Sequence, residues 1–402
     1  MSKYFRSGQF ELAKLTVITT GEAPVELDMS NAYVNVTLYE SIFNKCMSGT
    51  ISFVDTNNII NMYGLGNGET VEIQFNTSGV TEPIKFTGTV FELMGPAVLN
   101  DHASGYTLHF ASPISLNSMR LALFNPYKDT VDKSVADIYG KLSGKKKLDT
   151  HKTKYLEHVV LTGQRPLEAI DMFSQMAVGS DASYGYMFFE DNTQFNFKPL
   201  SVLYKQEPVR EFFYSSMPAF DNVKNSHEEM FDVYQEFEYE EGSKYIELID
   251  DGILGTTVNS VSLSEKSNTV TSYLPEKVFS KSSALADHTF LTKHKTSNQS
   301  RVRVTYDIKS RQSELDVEKN RLHKFKALST VLNIGIFGDS TLRVGQTCIA
   351  NVPTYSTEDF SHNAINPYSG KFLIAEIKHV FSPKQYNQRI MLIKDSYEEK
   401  LA

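Results

Sequence analysis

The chain has 402 residues and a net charge of −8, and a chain of this length is expected to fold as two to four domains rather than around one core. Its composition, 41% hydrophobic and 22% charged, excludes long disorder. The negative charge argues against a general nucleic-acid binder, which would carry a basic surface. The 26 Phe and 21 Tyr residues, with no Trp, favour β-structure.

Two cysteines, Cys46 and Cys348, are too few for a disulfide framework in so long a chain, so we expect buried free thiols. The N-terminal residues show no apolar segment of a signal peptide. No run approaches the ~18 apolar residues that suggest a membrane-spanning helix. We therefore expect assembly in the cytoplasm and no stable membrane insertion.

Residues 1–112 are predicted to form an all-β domain. Alternating polar and apolar side chains predict strands at Phe10–Thr19, Ala32–Leu38 and Met47–Val54. A short helical turn at Asn57–Tyr63 precedes a glycine-rich segment and three further strands, at 68–75, 84–93 and 106–111. Six strands are enough for a small barrel or sandwich.

Residues 113–210 change to an α+β pattern. Pro113 opens an apolar helical stretch that ends near Phe124. A second helix begins at Asp129 or Thr130, either of which can cap it, and its apolar stripe consists of Val131, Val135, Ile138, Tyr139 and Leu142.

The same middle domain contains a third helix and two aromatic strands. Pro166 suits the first turn of the helix and Gly179 can end it. The apolar stripe of this helix consists of Leu167, Ile170, Phe173 and Ala177. The strands are predicted at Tyr184–Phe189 and Gln194–Lys198, with a turn between them.

A second β-domain is predicted from residues 211–258 and 311–402, interrupted by an inserted Ser/Thr-rich β segment at 259–310. Strands are predicted at Met230–Glu240, Tyr245–Ile249 and Arg301–Lys309. The 3.6-residue period predicts a helix of roughly 18 residues at 315–332. We expect its basic side chains to face solvent or a neighbour: Lys319, Arg321, Lys324 and Lys326. The last strands are predicted at 345–352, 370–381 and 388–394.

The two ends of the chain repeat one pattern. Gly68 and Gly345 each open a strand, and a long strand and an apolar closing strand follow. Any two antiparallel meanders look alike, because strands alternate with period two, so the pattern favours a duplication without establishing it. The second copy should recruit Met230–Glu240, and we expect the two copies to form separate sheets with the same connectivity. Three such chains would close a ring of six β units, an arrangement that suggests a structural hub.

Several segments resemble the central baseplate hub proteins of contractile-tailed bacteriophages. The segment 49–59 is similar to the family's third strand and following turn, and 178–189 to its middle domain. The helix at 315–332, then 342–346 and 372–379, follow its closing module in order and spacing. The resemblance covers most of the chain and is weakest over 259–296.

The resemblance implies a mainly β fold with an α+β middle domain and two tube-like antiparallel β-barrel or sandwich domains related by internal duplication. It implies a virion protein of the tail baseplate that is assembled in the host cytoplasm. A homotrimer would form a pseudo-sixfold ring between the tail tube proteins above and the spike protein below. DNA would pass through the lumen without specific binding.

No catalytic, cofactor-binding or metal site is predicted. The segment 140–146 has three residues between its glycines, and Lys146 stands where Ser or Thr would bind magnesium, so a solvated basic loop is favoured over a phosphate loop. His227, His288 and His294 lack zinc-ligand spacing. We therefore expect no enzyme activity and no cofactor. A baseplate-associated cell-wall hydrolase and a carbohydrate-binding tail module stay open as alternatives, because a catalytic carboxylate pair is defined by spatial separation.

An acidic run near the middle of the chain has two interpretations. Its members are Glu236, Glu238, Glu240, Glu241, Glu247, Asp250 and Asp251. They form either a solvated strand face or a channel wall that repels phosphate and keeps passing DNA mobile. The sequence slightly favours the solvated face, because nothing in it places these residues in a lumen.

Overall fold

Hydrogen-bonded strands account for about half of the described residues of the computed structural model, and the sheets are largely antiparallel. The structure describes residues 8–77, 83–100, 102–214, 231–234, 236–240, 246, 256–262, 266–273, 284–289, 301–306, 314–353 and 368–397. Of the predicted strand Tyr245–Ile249 only Ile246 is described, and residues 307–309 of another predicted strand lie outside the described residues. The predicted fold class, mainly β with α+β elements in the middle of the chain, is confirmed.

The first β unit consists of seven strands and one short helix. They are β1 (Phe10–Ile18), β2 (Glu26–Asp28), β3 (Tyr33–Ser41), β4 (Ser48–Asp55), α1 (Ile59–Tyr63), β5 (Thr70–Thr77), β6 (Ile84–Asn100) and β7 (Ala103–Ala111). Every second residue of β4 and β5 is buried, as the alternating sequence pattern predicts. The strand β6 runs seven residues beyond its predicted end. The three-residue strand β2 is too short to show a sequence pattern.

The middle elements are α2 (Pro113–Arg120), β8 (Pro126–Thr130), α3 (Val131–Lys141), β9 (Lys147–Thr150), β10 (Leu156–Val160), α4 (Pro166–Met176), β11 (Tyr186–Glu190), β12 (Gln194–Pro199) and α5 (Leu200–Leu203). The predicted stripes of α3 and α4 share one core with the aromatic residues of β11 and β12. Two predicted helix ends are wrong. Helix α2 ends at Arg120, before Phe124, and α4 ends before Gly179 because Ala177 is already extended.

The remaining strands are β13 (Glu211–Tyr214), β14 (Val233–Tyr234), β15 (Glu236–Glu240), β16 (Thr256–Ser262), β17 (Ser267–Tyr273), β18 (His288–Thr289) and β19 (Arg301–Tyr306). They are followed by α6 (Glu314–Lys326), β20 (Thr330–Phe337), β21 (Thr347–Asn351), β22 (Gly370–Ser382), β23 (Gln385–Lys394) and β24 (Ser396–Tyr397). Strands β16, β17 and β19 form a separate sheet within the Ser/Thr-rich insertion. In the described part of the chain, no helix has the length and apolar character to cross a membrane.

Helix α6 is shorter and less exposed than predicted. It ends at Lys326, and Leu332 lies fully buried in β20. Its basic side does not face solvent, because Lys326 is buried beside Asp395 at 3.8 Å and Lys324 donates a hydrogen bond to Ser174. The apolar residues of β20 happen to continue the 3.6-residue spacing of the helix. The sequence pattern therefore extends beyond Lys326, where the helix ends.

The order of hydrogen-bonded strands repeats along the chain. In the first β unit the order is β2-β1-β5-β6-β7-β4-β3. The second β unit, defined as β13–β15 with β20–β23, has the order β14-β13-β21-β22-β23-β20-β15. Each strand of the first unit therefore has a counterpart in the second unit that holds the same place both along the chain and across the sheet. As predicted, residues from Met230–Glu240 supply two strands of the second unit, β14 and β15.

Local hydrogen bonds repeat with the strand order. Gly68 donates to the Val90 carbonyl and Val90 donates to the Glu69 carbonyl, both at 2.8 Å. In the second unit Gly345 donates to Ile374 and Ile374 donates to Gln346, again at 2.8 Å. A bulge follows directly in both long strands, between Val90 and Glu92 and between Ile374 and Glu376. These shared details support an internal duplication.

Two features differ from the predicted duplication. Strand β13 runs parallel to both of its neighbours, whereas its counterpart β1 is antiparallel to both of its own. The expectation of two separate sheets is also wrong, because β3 pairs with β22 and joins the units into one continuous sheet. The pairing is possible because β22 is much longer than β21 and leaves part of its edge open.

Candidate assembly interface

The β3–β22 junction shows how one β unit of this fold binds the next. Six residue pairs form an antiparallel ladder, from Ser41 opposite Glu376 to Val36 opposite Phe381. The ladder starts immediately after the bulge in β22, where Ile42 donates a backbone hydrogen bond of 2.9 Å to the Ala375 carbonyl. The same edge of β22 therefore pairs with two strands, with β21 before the bulge and with β3 after it.

A buried polar network fixes the register of this junction. The Glu40 carboxylate lies 3.3 Å from Nε2 of His379, and each residue is 1% exposed. The other ring nitrogen of His379 is 2.7 Å from the Tyr386 hydroxyl, to which Gln388 also donates. A slip by one residue would separate Glu40 from His379 and leave buried polar groups without partners, which is costly.

Aromatic side chains from both units pack beneath the ladder. The ring centroids of Phe75 and Phe381 are 4.3 Å apart. The ring centroids of Phe381 and Tyr386 are 4.4 Å apart. Both Phe381 and Tyr386 belong to the core of the first β unit although they come from the second. The junction is thus a shared hydrophobic core and not a surface contact.

The middle elements attach to the first β unit and to helix α6 through buried polar contacts. Glu190, which is 2% exposed, accepts a hydrogen bond from the Met47 amide and forms a 2.9 Å ion pair with Lys146. On the other side Asn320 of α6 accepts from the Gly185 amide and donates to the Ala177 carbonyl. The prediction of a fully solvated basic loop at 140–146 is therefore wrong for Lys146, which has a structural role.

Strand β15 lies at one end of the strand order of the second β unit. Its only partner strand in the described residues is β20. Glu236, Glu238 and Glu240 are exposed, whereas Phe237 and Tyr239 turn inward and pack on the core. The other acidic residues of the run, Glu241, Glu247, Asp250 and Asp251, lie outside the described residues.

The outer half of β6 in the first β unit has a partner strand on one side only in the described part of the chain. Residues 84–89 pair with β5, and within the described residues no strand covers the same edge from Glu92 onward. This half of β6 and the facing part of β7 form a hairpin that carries exposed apolar side chains, including Met94 at 52%, Val98 at 78% and Leu99 at 57%. Exposed apolar side chains at a sheet edge mark a surface that another chain can cover.

One face of the second β unit and its junction is polar. A shallow groove of about 240 Å³ is lined by residues that include Glu236, Glu238, Asn333 and Arg389. A neighbouring groove continues past Glu376 and Lys378 to Tyr39 of the first unit. Acidic and basic groups therefore alternate on a surface that crosses the junction.

The cysteines and histidines considered as candidate site residues are either far apart or buried in structural roles. Cys348 is fully buried in β21 and Cys46 is half-buried, both as free thiols, and burial raises the pKa of each. His288 lies in β18, and His227 and His294 lie outside the described residues. Among the described residues, no three His, Cys, Asp or Glu side chains are grouped to hold a metal ion. The Glu40–His379 pair was missed by sequence reasoning, because pairing between distant residues leaves no local pattern.

Comparison with known proteins finds similar folds among solved structures and no similar sequence. No family model matches the chain, and no curated protein matches it. A 43 kDa tail protein of prophage MuSo2 from Shewanella oneidensis superposes with a TM-score of 0.53 at 8% identity, covering 95% of this chain and 98% of that one. The tail protein from Neisseria meningitidis MC58 has a TM-score of 0.57 at 10% identity, covering 95% and 96%.

A third match is a PdpA–VgrG complex in its lidless form, with a TM-score of 0.51 at 7% identity, covering 98% of this chain and 67% of that one. The first two matches are named as tail proteins and neither as an enzyme. At these identities the likeness concerns the fold alone, and the predicted resemblance is confirmed as a resemblance in fold to phage tail proteins.

Proposed function

We propose that the chain is a structural virion protein, the central hub of a phage tail baseplate, and that three copies form a ring of six β units. The observation that carries this proposal is the repeated order of seven strands, together with the repeated glycine turn and bulge. Two similar units in one chain allow a threefold assembly to present six similar faces.

The β3–β22 junction supports the proposal because it already joins two units side by side. Among the described residues, the strand edges that it leaves without a partner strand include one side of β15 and the outer half of β6. A closed ring would cover both edges, and closure is the usual way in which β proteins avoid exposed edges.

The proposed ring joins a sixfold tail tube to a threefold spike. Its six β units would face the tube proteins, and its three identical chains would match the three-part spike. No catalytic step is assigned to the chain. This agrees with the structural roles of the buried ionisable groups described above, such as Lys146 and Glu190.

The polar face of the sheet is proposed to line the lumen through which DNA passes. Glu236, Glu238 and Glu376 lie on this face with Arg389 and Lys378 between them. Carboxylates repel phosphate, and a surface of mixed sign offers no continuous basic track for a DNA backbone. DNA would therefore slide through without specific binding.

The mass of the assembled protein tests this proposal. Sedimentation equilibrium should be measured on the full chain, alone and with its cognate spike, at several protein concentrations. A trimer of the 45.4 kDa chain is the predicted species in at least one of these samples. A hexamer, or a monomer in every sample including the one with spike, would contradict the proposal.

A further inference from the structure

We propose that Lys326 and Asp395 form a covalent amide bond between their side chains, a modification that links the end of α6 to the residue after β23. Both side chains lie in the interior, 3% and 2% exposed, with Nζ of Lys326 at 3.8 Å from Oδ2 of Asp395. This separation is close to the ~3–3.5 Å from which well-placed groups react. The inference concerns a single chain and does not depend on the proposed ring.

The surroundings of Lys326 favour a neutral amine, which is the nucleophilic form of a lysine. Burial lowers the pKa of Lys326, although the charge of Asp395 acts in the opposite direction. Two buried charges also lose their hydration, a cost that can exceed their mutual attraction. Amide formation removes both charges and releases one water molecule from the interior.

Hydrogen bonds to Asp395 polarise its carboxyl group. Its Oδ1 atom accepts hydrogen bonds from the Leu285 amide at 3.0 Å and from the Ser396 hydroxyl at 2.7 Å. The Ser396 oxygen in turn accepts from the Ala286 amide, which directs the hydroxyl proton towards Asp395. These donors would stabilise the negative charge that develops on Oδ1 during attack, as in an oxyanion hole. Oδ2, which faces the amine, is then the leaving oxygen.

Tyr204 offers a proton relay beside the pair. Its hydroxyl oxygen is buried and has no hydrogen-bond partner among the described residues, an arrangement that is rare in folded proteins. Burial and the charge of Asp395 both raise the pKa of Tyr204, so the hydroxyl stays protonated. Tyr204 shares a core with Leu285 and with Ala327, the residue after Lys326.

The step balances without an added reagent. Starting from the ammonium and the carboxylate, one proton passes from Nζ of Lys326 to Oδ2 of Asp395, directly or through the Tyr204 hydroxyl. Nζ then attacks Cγ of Asp395 and the Cγ–Oδ2 bond breaks. Oδ2 leaves as water with a second proton from the nitrogen. The product is a neutral amide whose carbonyl oxygen is Oδ1, and Tyr204 ends with its own proton restored.

Distance alone does not select this pair. Nζ of Lys198 lies closer to Oδ2 of Asp149, at 2.6 Å, but those side chains are 24% and 42% exposed. Solvent keeps an exposed lysine charged at neutral pH and supplies the water that opposes condensation. Lys198 and Asp149 are therefore an internal control that should stay unlinked.

Mass spectrometry of the purified chain tests the bond. The intact mass under denaturing conditions should be lower than the sequence mass by one water molecule. A tryptic digest should contain a branched peptide that joins Lys326 to Asp395, with Lys198 and Asp149 in unlinked peptides. Lys326→Arg keeps the positive charge but cannot form this amide, so it should have the full mass. The same variant identifies a cyclic imide at Asp395, which loses one water without Lys326.

Two results would overturn the inference. The first is a wild-type chain with the full sequence mass and with Lys326 and Asp395 in unlinked peptides, a measurement that requires no variant to fold. The second is a loss of water that persists in Lys326→Arg. Tyr204→Phe, which removes only the hydroxyl, should lower the linked fraction of freshly purified protein, and an unchanged fraction would overturn the role given to Tyr204.

Discussion

Substitution of Gly345 by Ala should destabilise the protein much more than the same change at its counterpart, Gly68. Both glycines have positive φ, +83° at Gly345 and +105° at Gly68, and each opens the equivalent strand of its unit. A side chain in this region costs about 1–2 kcal/mol at either position. Backbone conformation alone therefore predicts equal effects.

Packing makes the two positions different. A Cβ at residue 345 would lie 2.8 Å from Cζ of Phe189, a ring that is 1% exposed and held in the core, whereas at residue 68 the nearest atom is Cγ2 of Thr20 at 3.6 Å. Overpacking of a core adds about 1–3 kcal/mol. We expect Gly345→Ala to cost about 2–5 kcal/mol in total and Gly68→Ala to cost about 1–2 kcal/mol.

Urea unfolding of the variants measures the difference. Tyrosine fluorescence and far-UV circular dichroism can follow the transition, since the chain has 21 Tyr and no Trp. Gly66→Ala is the matched control, because Gly66 lacks a positive φ and has open space around its Cβ position, so no loss is expected. Adding Phe189→Leu to Gly345→Ala should cost less than the sum of the single changes. Equal losses at Gly345 and Gly68 would refute the reasoning.

Two further predictions concern buried histidines. His379→Leu should lower the free energy of unfolding by about 1–3 kcal/mol, because it leaves the buried Glu40 side chain without its polar neighbour. Urea unfolding would measure this loss, and the double change Glu40→Leu with His379→Leu should recover part of it. A loss below about 0.5 kcal/mol would show that the pair does not hold the junction. Burial lowers the pKa of His323 to about 3, so the unfolded chain binds a proton that the folded chain does not, and stability should fall by up to about 1.4 kcal/mol per pH unit below about pH 6.5. His323→Phe, which keeps an aromatic ring against Tyr184, should make the decline in unfolding midpoint between pH 6 and pH 4 shallower, and an unchanged decline would contradict this assignment.

The sequence predicts most strands of both β units because a half-buried strand must alternate its side chains, but it misses β2, β13 and β20. It also places Gly345 at the start of a strand, where the structure has a turn with positive φ. The contact between the units was not predictable in the same way. Glu40 pairs with Ile377, which is distant from it in sequence, and no local sequence pattern encodes the register between such strands. Glu40 and His379 also have polar side chains of the kind expected at a protein surface, although each is 1% exposed.

The errors in α6 have a similar physical origin. Leu328 and Leu332 continue the helical period, but residues after Lys326 enter the strand β20, where pairing with β23 outweighs local helix propensity. Lys326 was expected at the surface because a lysine is rarely buried; Asp395, distant in sequence, is the charge that accompanies it into the interior.

A cryo-electron microscopy map of the assembled baseplate, or of the purified chain bound to its spike, tests the central claim most directly. The account predicts a ring of three chains in which all six β units lie on the circumference, with β3 paired to β22 inside each chain. A ring of six chains, or a threefold ring in which only one β unit of each chain lies on the circumference, would contradict it.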